Sequence, residues 1–163
     1  MLYSVFQELT HKKCELVRGD HWGSIGFQGT DPSTDFRGGG LLSLLCLLYF
    51  VTETDPIRIV DETFQLSLDP VHNFPFVLVG VNITSILLRL MRQEKLNRTF
   101  NSRKNVLDTF MLMYSAVFWL MGSLWEEEQC TILQMETVLK RLEEWCERKP
   151  NSLLKRYEKL SWV

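Results

Sequence analysis

Residues 22–50 read WGSIGFQGTDPSTDFRGGGLLSLLCLLYF, and within this stretch a polar loop gives way abruptly to an apolar run. Its one cation, Arg37, lies close to that boundary. A guanidinium is costly to bury alone, so Arg37 is predicted either to be exposed at the rim of the loop or to be paired with an acceptor. The run at residues 41–51 is apolar on every side, which predicts a helix that is buried on all sides.

The rest of the chain predicts helices nearly throughout. Apolar periods and Pro or Gly breaks place helices near residues 2–16, 41–51, 57–68, 75–96, 105–125, 132–146 and 153–160. Residues 18–40, rich in Gly, Asp, Ser and Thr, form a long loop that we call the arginine loop. The prediction is an all-α fold over residues 1–163: a single compact domain of about six or seven helices, with a long structured loop before a fully buried apolar helix.

Two of the later helices have a clear inward face in this prediction. The first should point Val79, Ile83, Ile86, Leu87 and Leu90 inward, with Pro75 in its first turn, where a missing N–H is tolerated. The second has one apolar stripe with a 3-4-3-4 spacing, formed by Ile132, Met135, Leu139, Leu142 and Cys146.

Composition and charge exclude several classes of protein. The chain has 163 residues, of which 45% are hydrophobic and 23% charged, so it can bury a substantial core and is not disordered throughout. The net charge is -2, which provides no basic field for nucleic acid, and no nucleic-acid partner is predicted. The four cysteines are widely spaced, and Cys46 lies inside the apolar run. They are therefore predicted to be reduced packing residues of a cytoplasmic protein.

Residues 106–125 have the length of a membrane span, with Asp108 as their only charge. They also contain several polar residues, and Glu126–Glu128 follow directly, so a buried core helix is favoured over a span. No integral membrane span is predicted. The basic residues of 140–156 alternate with glutamates, which is typical of a solvated helix face; a peripheral patch for an organelle membrane is the open alternative.

Most motifs that carry chemistry are absent from the sequence. The histidines are scattered, so no metal site is predicted, and there is no P-loop for nucleotide. No G-x-S-x-G motif and no Cys/His pairing indicates nucleophilic catalysis. The three glycines at 38–40 could cradle a phosphate, but a tight turn against the following helix is the favoured interpretation.

The arginine loop and the run after it meet the spacing W-x3-G-F-Q-x3-P-x-T-D-F-R-G-x-G-x3-L-x2-L-x-Y-F. The matching residues are Trp22, Gly26, Phe27, Gln28, Pro32, Thr34, Asp35, Phe36, Arg37, Gly38, Gly40, Leu44, Leu47, Tyr49 and Phe50. This spacing resembles the signature of the ELMO domain, in particular the ELMO-domain-containing GTPase-activating proteins for Arf and Arf-like GTPases. The stretch FPFVLVGVNITSILLRLM at 74–91 resembles that family's second recognisable segment, and the aromatic helix from Phe110 to Trp125 resembles its C-terminal part. The resemblance therefore covers essentially the whole chain.

The resemblance implies that Arg37 is an arginine finger, inserted in trans into an Arf-family small GTPase in its GTP-bound form. In the family this arginine separates activating members from scaffolds, and the chain retains it. We therefore expect a regulator of another protein's hydrolysis rather than an enzyme that turns over its own substrate. The alternative is a non-catalytic scaffold or effector module that binds a small GTPase or an exchange factor. The activator would be a monomer without a cofactor, because GTP and magnesium belong to the partner.

Three aromatic residues of the arginine loop are candidates for holding the finger in place. Trp22, Phe27 and Phe36 are expected to pin the loop to the helical core, and direct contact with a partner is the less favoured role. Anchoring matters because a finger that must first be ordered loses part of its contribution to the rate.

Three polar residues of the same loop have alternative roles in this interpretation. Asp35 is expected either to hold Arg37 in an ion pair or to accept backbone N–H groups near a helix start. Gln28 and Thr34 are expected to satisfy backbone groups of the loop rather than to contact the GTPase.

Overall fold

A computed structural model describes residues 1–14 and 16–162, and this part of the chain holds eight α-helices and no strand. The helices are α1 (Leu2–Thr10), α2 (Gly40–Glu53), α3 (Arg58–Ser67), α4 (Phe76–Arg92), α5 (Asn97–Asn101), α6 (Val106–Glu127), α7 (Met135–Arg148) and α8 (Pro150–Glu158). Short 3₁₀ helices occupy Asp20–Ile25, Pro32–Arg37, Ile132–Gln134 and Lys159–Trp162. The all-α prediction is confirmed. The prediction missed α5, because its five residues are too few to show a helical period of apolar side chains.

Helix α6 is the centre of the fold. Its N-terminus is capped by Asn105, whose side-chain oxygen accepts the N–H groups of Leu107 and Asp108 at 2.9 and 3.3 Å. The helix packs against α2, α3, α4, α5, α7 and α8, and 14 of its 22 residues are buried. This environment is that of the predicted core helix.

Length and composition alone would allow α6 to cross a membrane, and it is the one helix of the described residues that does so by itself. Helices α2 and α3 pass the same test together, although the chain bends by 118° between them. In the most apolar window of α6, 67% of the residues are buried inside the domain, as expected for a core helix.

The prediction that α2 is buried on all sides is wrong. Its buried residues are Ser43, Cys46, Leu47, Phe50 and Val51, and the helix packs on α1, α4 and α6. Leu41 and Leu45, one turn apart, are 66% and 38% exposed. Neighbouring helices cover only part of the α2 surface, and an apolar composition cannot report how many neighbours a helix has.

Helix α4 has the predicted inward face. All five of its predicted core residues are buried: Val79, Ile83, Ile86, Leu87 and Leu90. Gly80 lets α2 and α6 approach this face closely, since a Cβ at that position would lie 2.6 Å from Cδ2 of Leu47 and would also meet the hydroxyl of Tyr114. The contact between α4 and α2 matters for the site, because α2 begins three residues after Arg37.

The apolar stripe predicted for the sixth helix, at residues 132–146, is confirmed only in part. Its residues are fully buried at Leu142 and Cys146, partly buried at Met135 and Leu139, and exposed at Ile132. Helix α7 begins at Met135, so Ile132 belongs to the preceding 3₁₀ helix and lies off the stripe. Val138, which is 1% exposed, contributes to the buried face instead.

Candidate functional site

The arginine loop is attached to the helical core through Trp22. This side chain is fully buried, and its indole Nε1 donates a hydrogen bond to the carbonyl oxygen of Val17 at 3.0 Å. Its ring meets Phe6 of α1 edge-on, with 5.5 Å between centroids, and Phe27 at 5.6 Å. A buried indole with a satisfied N–H and two edge-to-face partners is a firm anchor.

Two further aromatic residues carry this packing along the loop towards Arg37. Phe27 is 6% exposed and meets Phe36 edge-on at 5.7 Å between centroids. Phe36 is partly buried and directly precedes Arg37. The aromatic residues therefore form a continuous line from Trp22 to the neighbour of the arginine, in the core-packing arrangement that the sequence predicted.

A glycine makes the close approach of this loop to α4 feasible. Gly26 has φ +94°, and a Cβ built on it would lie 2.6 Å from the carbonyl carbon of Pro75, just before α4. Both the left-handed backbone and the short contact exclude a side chain. At Gly26, immediately before Phe27, the loop therefore packs directly against the start of α4.

Asp31 caps the 3₁₀ helix that carries Arg37. Its Oδ1 accepts the backbone N–H of Ser33 at 3.0 Å and the Ser33 hydroxyl at 2.6 Å, and these bonds lower the pKa of the Asp31 carboxyl. Arg18 forms a salt bridge with the other oxygen at 2.8 Å. Pro32, buried at the first helical position, has no N–H that would be left without an acceptor.

Asp35 joins two parts of the loop. Its Oδ2 accepts the backbone N–H of Gln28 at 2.8 Å. The alternative of an ion pair between Asp35 and Arg37 is wrong within the described residues, because the carboxylate is directed towards the Gln28 amide. Asp35 therefore accepts a backbone N–H, as the second alternative predicted, although the N–H comes from the loop and not from a helix start.

Arg37 ends the 3₁₀ helix with its side chain exposed. Within the described residues its guanidinium makes no hydrogen bond or ion pair. The backbone after it is tightly held. A Cβ on Gly38 would lie 2.8 Å from Oγ of Ser85 on α4, and a Cβ on Gly39 would meet Oγ of Ser43 on the following helix, α2. Gly40 has φ +55°, which favours glycine. These contacts match the predicted tight turn, and they leave the arginine unpaired at the end of a fixed segment.

An open depression of about 370 Å³ lies beside the arginine, lined by Gln28, Gly29, Thr34, Asp35, Arg37 and Leu78. Thr34 donates its hydroxyl to the Asp31 carbonyl oxygen at 2.9 Å, as predicted for a residue that satisfies loop backbone. The same prediction is wrong for Gln28, whose side chain is exposed and bonds nothing in the described part of the chain. Its backbone N–H, not its amide side chain, takes part in the loop.

The sequence did not reveal one contact of reactive side chains. The Cys14 sulfur lies 3.2 Å from Nε2 of His21, in a partly buried position next to Phe6. A nucleophilic pair of this kind needs a third group to orient the base, and among the described residues none bonds the His21 ring. A separation of seven residues across a loop has no helical or strand period that would have predicted the contact.

A larger cavity, about 680 Å³, lies elsewhere. It is lined by Tyr49, Glu53, Thr54, Asp55, Leu112, Ser115, Tyr157 and Glu158, at the C-terminal end of α2, whereas Arg37 precedes the N-terminal end. A helix of 14 residues separates the two regions by about 20 Å. The buried hydroxyls of Thr54 and Ser115, which line this cavity, bond each other with their oxygens 3.3 Å apart. Burial raises the pKa of Tyr157, which also lines it. These groups are used by the fold.

The helical fold and the signature loop define a class of domain that comparison with known proteins identifies. Residues 1–139 match the model of the ELMO/CED-12 family, and the chain belongs to that family. It is 40% identical over 156 residues to ELMO domain-containing protein 3 of Mus musculus, covering 95% of this chain and 41% of the relative. The human protein of that name is 37% identical over 159 residues, covering 97% and 42%.

A more distant relative is ELMO domain-containing protein B of Dictyostelium discoideum, 33% identical over 125 residues, with 75% of this chain and 42% of the relative covered. The chain thus spans about two fifths of the length of the curated relatives it matches. No solved structure matches the chain.

Proposed function

We propose that the chain activates GTP hydrolysis by a small GTPase of the Arf family, to which it supplies Arg37 in trans. The observation that carries the proposal is the state of this side chain: an exposed guanidinium without an intramolecular partner in the described residues. Family membership supports a role with small GTPases, and the resemblance of the arginine loop to activating members supports the Arf family.

The chemistry requires such a group. During hydrolysis, negative charge develops on the oxygens of the transferring phosphate and on the bridging oxygen, and the GTPase alone compensates it incompletely. A planar guanidinium can donate to two of these oxygens at once. An arginine finger contributes about 10³–10⁵ in rate, or about 4–7 kcal/mol of barrier.

The anchoring of the loop supports the same proposal. The line of aromatics from Trp22 to Phe36 and the Asp35 carboxylate hold the backbone that leads to the finger before any partner arrives. Little conformational entropy is then lost on docking, so most of the charge stabilisation remains available to the transition state.

The proposal includes the setting in which this domain acts. The partner is the GTP-bound form of the GTPase, and the nucleotide and magnesium are held by that partner, so the domain uses no cofactor of its own. It acts as a monomer in the cytoplasm, and it can meet its partner at the surface of an organelle membrane. The proposal includes no nucleic-acid partner.

Single-turnover GTP hydrolysis with a panel of purified Arf and Arf-like GTPases tests the proposal. We expect the wild-type chain to accelerate hydrolysis by at least one member and Arg37→Ala to abolish the acceleration. Arg58→Ala, which removes an exposed arginine at the start of α3, is the matched control. Binding to a GTP-loaded member without acceleration would instead identify the non-catalytic scaffold or effector module.

A further inference from the structure

The polar side chains around the depression beside Arg37 fall into two groups. Thr34 donates its hydroxyl to the Asp31 carbonyl oxygen, and Asp35 accepts the backbone N–H of Gln28, so both side chains are used by the loop itself. The side chains of Gln28 and Arg37 are exposed and have no partner within the residues that the structure describes. An amide and a guanidinium are therefore left to interact with whatever enters the depression.

Gln28 is attached to the fold as firmly as the arginine. It directly follows the buried Phe27, and its own N–H is held by the Asp35 carboxylate at 2.8 Å. Asp35 lies two residues before Arg37 in the same 3₁₀ helix. One carboxylate thus ties the backbone at Gln28 to the segment that carries Arg37, and both side chains line the same depression.

GTP hydrolysis needs an amide as well as a cation. A water oxygen forms a bond to the γ-phosphorus while the bond from that phosphorus to the β–γ bridging oxygen breaks. The electron pair of the broken bond leaves on GDP, and the water's proton passes to the released phosphate. Small GTPases use a glutamine to orient this water, because an amide can accept from the water and donate to a phosphate oxygen at once.

We propose that Gln28 is a second catalytic group, whose side-chain amide orients the attacking water while Arg37 offsets the charge on the phosphate oxygens. The inference rests on the proposed function above and adds to it a residue that touches the reacting water. Its physical basis is complementarity: the two polar side chains of the depression that have no partner among the described residues are an amide and a cation, the two types of group that the reaction uses.

Variants of Gln28 with single-turnover hydrolysis test the role. At saturating activator we expect Gln28→Ala to lower the stimulated rate by about 10²-fold, the loss typical of one positioned transition-state group. Gln28→Glu should be at least as slow, since a carboxylate cannot donate to phosphate and repels it. The activator concentration at half-maximal rate should stay unchanged. Gln65→Ala, an exposed glutamine on α3, is the matched control and should retain the wild-type rate.

A second arm uses a partner GTPase whose own water-orienting glutamine is replaced by leucine. We expect the wild-type chain to accelerate hydrolysis by this partner and Gln28→Ala to lose that ability. If the wild-type chain accelerates hydrolysis by the unaltered GTPase but not by this leucine variant, the amide comes from the GTPase and the inference is overturned.

The outcomes separate this inference from the function on which it rests. Acceleration that survives in Gln28→Ala but not in Arg37→Ala would overturn the role of Gln28 and leave the arginine finger intact. A variant that raises only the half-maximal concentration would make Gln28 a docking residue and would also overturn the inference. A wild-type chain that accelerates no GTPase would refute both proposals.

Discussion

The Asp35 carboxylate lies 2.8 Å from the backbone nitrogen of Gln28 and accepts its hydrogen bond, seven residues back along the loop. This bond closes the segment between them into a compact unit and leaves Arg37 without an acidic neighbour to pair with in the described residues. The residue expected to restrain the arginine thus orders the backbone that presents it.

Replacing Asp35 tests this bond. We expect Asp35→Ala to lower the free energy of unfolding by about 1 kcal/mol, because the Gln28 N–H loses a charged acceptor that water replaces only in part. It should also lower the stimulated hydrolysis rate through the misplaced loop. Asp35→Asn, which keeps an acceptor oxygen, should recover part of both. Equal rates for all three proteins would show that the bond has no role in positioning.

Replacing Arg37 separates activity from stability. Its side chain is exposed and unpaired among the described residues, so Arg37→Ala and Arg37→Lys should change the midpoint of thermal unfolding very little. Both should reduce stimulated hydrolysis by about 10³-fold or more, since an ammonium cannot form the bidentate contact. A lysine variant with full activity would contradict the finger mechanism.

Gly26 and Gly29 form a matched pair for the shape of the loop. At Gly26, with φ +94° and the backbone before α4 in contact, an alanine should destabilise the fold by about 3 kcal/mol or more. Gly29 has no atom within 4 Å of a built Cβ, so Gly29→Ala should change stability by about 0.5 kcal/mol or less. Urea unfolding measures both, and similar losses would show that the loop does not rest on α4 as described.

Two leucines of α2 test its one-sided burial. Leu47 is fully buried between α2 and α4, and Leu47→Ala should cost about 2–5 kcal/mol in the free energy of unfolding. Leu45 is 38% exposed, and Leu45→Ala should cost about 1 kcal/mol or less. Chemical denaturation of the two variants side by side measures the difference. Equal losses would contradict the one-sided burial of α2 and support the full burial that its composition predicted.

The cap of the arginine-bearing 3₁₀ helix has a pH dependence with a defined sign. Hydrogen bonds from Ser33 lower the pKa of Asp31 in the folded protein. The stability they contribute is therefore present above the unfolded pKa of Asp31 and is lost as pH falls through the lowered folded pKa. Ser33→Ala should raise the Asp31 pKa towards its ordinary value, as followed by NMR titration.

Asp69 is the control for this experiment, because its pKa is measured in the same NMR titration. The pKa of Asp69 is lowered by the backbone N–H groups of His72 and Val71, which Ser33→Ala does not touch, so it should not move. The stability difference between wild type and variant should also vanish in acid, where Asp31 is protonated in both. A difference that persists there would assign the effect to something other than this carboxyl.

Features that depend on neighbours along the chain could be predicted from the sequence. The inward face of α4 follows from its period, because residues three and four apart lie on the same side of a helix. The anchoring of Trp22 and Phe27 follows from the cost of leaving large rings in water. The exposure of Arg37 was one of two alternatives, since a lone cation needs either solvent or a partner.

What the tertiary structure alone decided is which distant groups meet. It placed Asp35 against the Gln28 N–H and not against Arg37, and it left Leu41 and Leu45 of α2 uncovered. Hydrophobic periodicity records which side of a segment avoids water, but the number of neighbours and the direction of a side chain in an irregular loop depend on how the whole chain packs. For that reason the sequence indicated the arginine, and only the fold revealed that the side chain of Gln28, which lines the same depression, has no partner among the described residues.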